Sequence, residues 1–329
     1  MSQYNSILVC VQKDVGNAAM LEQAIRLAKQ HQAEIKLIHV ISDFPEDTEE
    51  WWNVRNPEKL KRRIIEERQA ILDDMVALAK ERGVDQVTSE LRWGRTFLEV
   101  TREFMKNKHD LVKITEKDTN KVSRMLQECP SRDLLSHCPG TLWISKGKTG
   151  MRPKRVLATL GGTHNDISCD ALDVKVLRTA ATIAEAYGSE LHYLHAMPLY
   201  GDKGFKGKKL RSDLADYIKT LKKTFMEKCG SVLTEYKVDV DEDRIHLVTG
   251  SPAPVIANTV SDMNFDLVIM GARPHADLQT ILLGTRAMRV FDYLKCDVVG
   301  VKPDDFVSLV ESEGELTNDN QENAPVADS

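Results

Sequence analysis

The stretch GARPHADLQTILLGTRAMR, residues 271–289, has the residue types of an anion cradle. Gly271 ends an apolar run, Arg273 and Arg286 flank the stretch, and Gly284 and Thr285 lead into residues at helical spacing. Glycine lets backbone N–H groups come close to phosphate oxygens, and a helix that starts beside them adds a favourable field. Pro274 stands where a second glycine would serve best. Proline has no N–H and holds φ near about −65°, so one donor of the cradle is lost. A hydrogen bond to a charged group contributes about 1.5–3 kcal/mol, so that loss weakens binding about tenfold to a hundredfold. Gly271, Gly284 and Thr285 can still hold an anion.

Other chemistry has less footing. The run GDKGFKGKKLR (201–211) offers Lys203, Lys206, Lys208, Lys209 and Arg211 to a phosphate, but charge runs are more often solvated loops. Its glycines are wrongly spaced for a G-x4-G-K-[ST] loop, and no G-x-S-x-G elbow occurs. LGGTHND (160–166) has the glycines of the S-G-G-x-D-S loop of adenylating enzymes, but Leu160 replaces the serine and His164–Asn165 the Asp-Ser pair, so it reads as a turn. Trp51 and Trp52 could stack a base, although covering a helix or docking two domains is the simpler use. His39 and His195 share equivalent strand ends, which suggests a structural role, and no other histidine has metal-ligand spacing, so no metal is assigned. The six cysteines are scattered without C-x-x-C, which favours buried or incidental thiols in a reducing compartment. With no nucleophile, base or metal in evidence, the chain reads as non-enzymatic. A weak ATP hydrolase or nucleotidyl-transfer relative is the rival, and a ligand-free interaction scaffold the third reading.

At 329 residues the chain exceeds one hydrophobic core and suggests two domains. A net charge of −5 gives no pull toward nucleic acid or an anionic membrane. No run approaches the roughly 18 apolar residues of a membrane span, and the N-terminus lacks the basic flank and cleavage pattern of a signal peptide. The expectation is a cytoplasmic protein with neither membrane insertion nor a nucleic-acid partner.

The chain is written twice. AIRLAKQHQAEIKLIHVISDF (24–44) aligns without gaps to AATIAEAYGSELHYLHAMPLY (180–200), an offset of 156 residues, with Ala24/Ala180, Ala28/Ala184, Glu34/Glu190 and His39/His195 identical. The offset returns at Gly94/Gly250 and at DLV, 110–112 and 266–268. In the second copy, β-branched and apolar runs at 155–161, 190–197, 243–250, 265–271 and 296–302 read as strands. Helices are expected at 171–187 and 208–229, from Pro252, whose ring suits a first turn, and at 283–294. The first copy repeats the plan with strands near 6–11, 34–41, 87–92, 110–115 and 141–146. Strands alternating with helices make an α/β parallel sheet with right-handed crossovers, and binding belongs at the carboxyl ends where the strand order reverses. The copies divide within SKGKTGMRPK (145–154), giving domains over 1–147 and 153–304. An acidic, low-hydrophobicity tail over 308–329 is expected to be disordered. The apolar edges CDVVGVK and GTLWISK invite pairing with one another.

The loop therefore follows the fourth strand of the second copy. With its Gly271, Pro274, Gly284 and Thr285, it resembles the universal stress protein family, whose nucleotide-binding members carry G-x2-G-x9-G-[S/T] there. The resemblance covers both halves, and the duplication, the LHAM strand end and the acidic tail are most similar to the tandem E-type members of Gram-negative bacteria. It implies the adenine nucleotide alpha hydrolase-like fold, strand order 3-2-1-4-5, with two five-stranded domains packed as a pseudo-dimer. It also implies a role in cytoplasmic stress resistance, with motility and DNA-damage tolerance among the effects, and homo- or hetero-oligomers with other universal stress proteins. Binding members place an aspartate just after strand one, where this chain has Gln12 and Gly161. The ligand residues carried over are Thr159, Gly161, Ala196, Met197, Met270, Gly271, Arg273, Pro274, Gly284, Thr285 and Arg286. Together they imply an altered site for ATP or another phosphorylated small anion rather than an intact ATP site. In the first copy, 113–135 contains no glycine, and Glu116 and Asp118 would repel phosphate. That copy reads as a site-dead partner whose DFPEDTEEWW loop (43–52) is acidic where the second copy is basic.

Overall fold

The computed structural model describes residues 4–12, 17–41, 57–116, 129–146, 152–161, 170–197, 241–273 and 285–310, with a few positions between 219 and 234. In the first copy the elements are β1 (Ser6–Val11), α1 (Asn17–His31), β2 (Glu34–Ile41), α2 (Pro57–Glu81), β3 (Val87–Trp93), α3 (Thr96–Asn107), β4 (Leu111–Thr115), α4 (Pro130–His137) and β5 (Thr141–Ser145). In the second they are β6 (Arg155–Leu160), α5 (Ala171–Tyr187), β7 (Glu190–Met197), β8 (Ile245–Thr249), α6 (Pro252–Asp262), β9 (Leu267–Gly271), α7 (Thr285–Tyr293) and β10 (Asp297–Val301). The helix expected over 208–229 lies outside the described residues, apart from isolated helical positions. The strand expected from 243 starts at Ile245, because Glu242–Arg244 form a 3₁₀ turn in which the Asp241 side chain accepts from the Asp243 N–H at 3.2 Å. Among the described residues no helix is long and apolar enough to cross a membrane.

The runs SILVCV and DVVGV are buried at every position, as a parallel strand covered on both faces requires. The ten strands form one sheet in the order β3-β2-β1-β4-β5-β10-β9-β6-β7-β8. Each copy thus has the expected order 3-2-1-4-5. Helices α1, α2 and α5 cover one face through residues such as Leu27, Leu72 and Leu177, while α3, α4, α6 and α7 cover the other through Phe104, Leu135, Ile256 and Phe291. Both copies turn after their third strand on a glycine of positive φ, Gly94 at 129° and Gly250 at 145°, a conformation in which a side chain would be strained. The internal repeat therefore extends to the backbone.

The copies join where β5 and β10 run antiparallel, with Trp143 opposite Val299 and Ile144 opposite Val298. This is the expected pairing of the two apolar edges. Behind it lies a buried polar network that the sequence reading did not include. Asp297, 1% exposed, accepts from Trp143 Nε1 at 3.1 Å, from the Lys146 N–H at 2.9 Å and from Gln23 Nε2 at 3.4 Å. Gln23 Oε1 in turn accepts from Lys113 Nζ at 3.0 Å and Ser145 Oγ at 3.2 Å. A carboxylate so deeply placed persists because these donors replace its hydration. Asp297 comes from the second copy, and the five other residues of this network, Gln23, Lys113, Trp143, Ser145 and Lys146, from the first.

After β10 the chain crosses to the first copy. Phe306 and Val310 are buried, and the Ser308 hydroxyl donates to the His137 carbonyl at 2.8 Å. At 308–310, where a disordered tail was expected to begin, the chain is instead held through Ser308 and the buried Val310, while Leu309 is exposed. Residues 311–329 lie outside the described residues.

Candidate functional site

Strand β6 is flanked by β7 on one side and β9 on the other, so the second copy's crossover direction reverses at its carboxyl end. Thr159 lies in register with the expected Met270 of β9 and with Leu194 of β7, two residues before the expected Ala196. The buried Thr159 hydroxyl donates to the Ile269 carbonyl at 3.4 Å. Met270 is buried, Ala196 half-buried and Gly161 exposed at the rim. Met197 ends β7, and Thr285 opens α7 with Arg286 after it. The side chains of Met197, Thr285 and Arg286 lie outside the described residues, as do Pro274, Gly284, the lysine run at 203–211 and Trp51–Trp52.

The rim is organised by two residues that sequence reasoning missed, Asp170 and Asp173 at the start of α5. Asp170 is the N-cap, and its Oδ1 accepts from the Asp173 N–H at 2.9 Å. Asp173 Oδ1 accepts from the Gly161 N–H at 2.9 Å. Burial pushes the Asp173 carboxyl up to about 7, the nearby Asp170 charge adds to this, and the Gly161 N–H and Arg273 oppose it. The carboxyl therefore titrates near neutrality. A Cβ added at Gly161 would lie 3.6 Å from Asp173 Oδ1, so an aspartate at 161 would meet a second carboxylate. This is a physical reason for glycine where the resemblance leads one to expect an acid.

Two expectations change in kind. Gly271 has no positive φ; its place is set by packing, since a Cβ there would lie 2.9 Å from Leu172 Cδ2 on α5. Arg273 is not a free counter-charge, because its guanidinium pairs with the Asp170 carboxylate. The pair is roughly half exposed on both sides, so an incoming anion could compete for the arginine at small cost.

In the first copy the matching clasp is neutral. Asn17, at the 156-residue offset from Asp173, accepts from the Gln12 N–H at 3.3 Å and donates to the Gln12 carbonyl at 2.6 Å. The histidines behave as the structural pair expected of them: His39 Nδ1 lies 2.8 Å from the Val11 carbonyl and His195 Nδ1 lies 3.3 Å from the Leu160 carbonyl. Burial lowers the His195 pKa, favouring the neutral ring that donates this bond. Glu116 is buried against Lys146 Nζ at 3.4 Å, so the fold itself engages its charge. Asp118 lies outside the described residues.

The Universal stress protein family model matches residues 3–146 and 169–302, once for each copy. Universal stress protein E of Salmonella typhi is 22% identical over 326 residues, covering 96% of this chain and 99% of that protein. The Escherichia coli K12 protein of the same name is 21% identical with the same coverage. Among solved structures, a functionally unknown Pseudomonas aeruginosa protein aligns over 92% of this chain and 95% of its own, with 20% identity and a TM-score of 0.68. A universal stress protein from Archaeoglobus fulgidus aligns over 92% and 99%, with 18% identity and a TM-score of 0.65. With both copies matched and their strand orders alike, the chain belongs to the universal stress protein family.

Proposed function

We propose that the second copy holds a small phosphorylated anion, nucleotide-like in its phosphate part, at the crevice between β6 and β9, and that the first copy supports it without a site of its own. The chain then acts as a non-catalytic binding module of the cytoplasmic stress response. The observation that carries this reading is the difference between the copies at one shared location. Where the first copy closes its crevice with the neutral Gln12–Asn17 clasp, the second presents a titratable carboxyl beside an exchangeable guanidinium. Protonation of Asp173 near pH 7 removes a negative charge that would oppose a phosphate. Arg273 uses one terminal nitrogen on Asp170, and a planar guanidinium has further donors for an oxyanion.

The Arg273–Asp170 pair also favours a second reading, since it satisfies both charges with no ligand at all, as an interaction scaffold would need. Isothermal titration with ATP separates the two. If the loop is a weakened cradle, Pro274→Gly restores a donor and raises affinity about tenfold, while Gly284→Asp removes binding. Equal titrations for wild type and both variants would leave the scaffold standing.

A further inference from the structure

We propose a second anion site at the opposite end of the sheet, formed jointly by the two copies, that takes a compact and multiply charged phosphate such as pyrophosphate. A cleft of 550 Å³ opens there, lined by Arg26 and Lys29 of α1, Arg82 after α2, Arg152 before β6, and Ala186 near the end of α5. That volume lies in the range of small-ligand sites, about 300–1,000 Å³. Four cations face one lining carboxylate, Glu22, which is already paired with Arg82 at 2.7 Å.

Three of the four cations, Arg26, Arg152 and Lys29, are held in place through a backbone carbonyl rather than an acid. Arg26 Nε donates to the Ala186 carbonyl at 2.7 Å, and its guanidinium lies 5.5 Å from the Tyr187 ring centre. Arg152 Nη2 donates to the Tyr187 carbonyl at 3.3 Å, and Lys29 Nζ to the Arg82 carbonyl at 2.9 Å. Capping the negative end of α5 accounts for one N–H of each arginine. The terminal nitrogens of Arg26, and Nε and Nη1 of Arg152, have no hydrogen-bond partner among the described residues. Two pre-positioned guanidinium groups with spare donors match the fork geometry of phosphate recognition.

The repeat shows that Arg26 and Lys29 are particular to the first copy's helix. At the 156-residue offset Arg26 corresponds to Thr182 and Lys29 to Glu185, so these two cations belong to α1 and have no counterpart on α5. Glu185 also lies near His31 at the margin, and the cleft remains cationic with it included.

The test is isothermal titration of the full chain with sodium pyrophosphate at fixed ionic strength. Wild type is expected to bind, Arg26→Gln and Arg152→Gln each to weaken binding at the cleft about tenfold, and the double variant to abolish it there. Glutamine can still donate to the capped carbonyl, and Lys29→Gln gives the same test should either arginine variant fail to fold. Because the crevice proposed above also takes a phosphate, the same variants are titrated in the Gly284→Asp background, where pyrophosphate binding should persist and should be lost when Arg26→Gln and Arg152→Gln are added, which keeps this site distinguishable from the crevice. Absence of binding to wild type at millimolar pyrophosphate, wild-type isotherms from the cleft variants, or loss of binding in Gly284→Asp would each overturn the proposal.

Discussion

Replacing Asp173 by Asn tests whether the second copy's crevice is built around a proton. The Asp173 carboxyl is raised from 3.8 to about 7, burial being the larger cause and Asp170 the next. Between those two values the native chain keeps a proton that the unfolded chain has released. Native protein thus binds more protons, and stability falls as pH rises through this window, levelling off above 7. The full penalty at pH 8 is about 4 kcal/mol, at about 1.4 kcal/mol for each tenfold change in proton affinity. Asparagine avoids it and keeps an oxygen for the Gly161 N–H. It also gives up a carboxylate in the first turn of α5, a favourable interaction of about 0.3–1 kcal/mol. The expected outcome is that Asp173→Asn is more stable than wild type by about 2–4 kcal/mol at pH 8 and within about 1 kcal/mol of it at pH 4. Chemical denaturation of both proteins at the two values measures this. ATP titration gives a second readout: wild-type affinity should decline as pH rises past 7, and the variant's should not. A stability difference that is the same at both pH values would refute the reasoning, because it would mean that Asp173 does not change charge across the window.

Gly271→Ala should cost about 1–3 kcal/mol in denaturation experiments with no ligand present, because the new Cβ meets Leu172 at 2.9 Å; an unaffected melting curve would return Gly271 to the role of a phosphate-approach glycine. Asp297→Ala should cost about 3–5 kcal/mol, since it strands the Trp143 N–H, the Lys146 N–H and the nearby Lys113 at the junction between copies. Ending the chain after Val310 should leave the melting temperature unchanged, whereas ending it after Asp305 should lower stability by about 2–4 kcal/mol through exposure beneath Phe306 and Val310.

The repeat carried most of the fold. Its fixed offset relates four of the five strand pairs, β6 lying 149 residues after β1, and the apolar run around Val268 is long enough to be read as buried on both faces. What escaped was polar and tertiary. Asp170 and Asp173 sit ten and thirteen residues beyond the end of β6 at Leu160, on the first turn of a helix, where no strand-end motif points. Their signal was the D-x-x-D spacing ahead of a helical run, which is N-cap chemistry, and the alignment of Asp173 with Asn17 at the repeat offset. Lys113 and Asp297 stand in otherwise apolar strands and are joined through Gln23 across a separation of 184 positions, which no local pattern can register. Arg273 was read as flanking the loop, but its partner Asp170 lies on a different element, so its charge was counted as free.

The central claim, that the second copy binds a phosphorylated anion and the first does not, is tested most directly by photocrosslinking with azido-ATP in the presence and absence of unlabelled ATP, followed by peptide mapping. The account predicts label that ATP competes away on the strand ends of the second copy, around Leu160–Gly161, Ala196–Met197 and Met270–Arg273. Competable label on the equivalent ends of the first copy, Val11–Gln12, Val40–Ile41 and Thr115–Glu116, or no competable label anywhere, would contradict it.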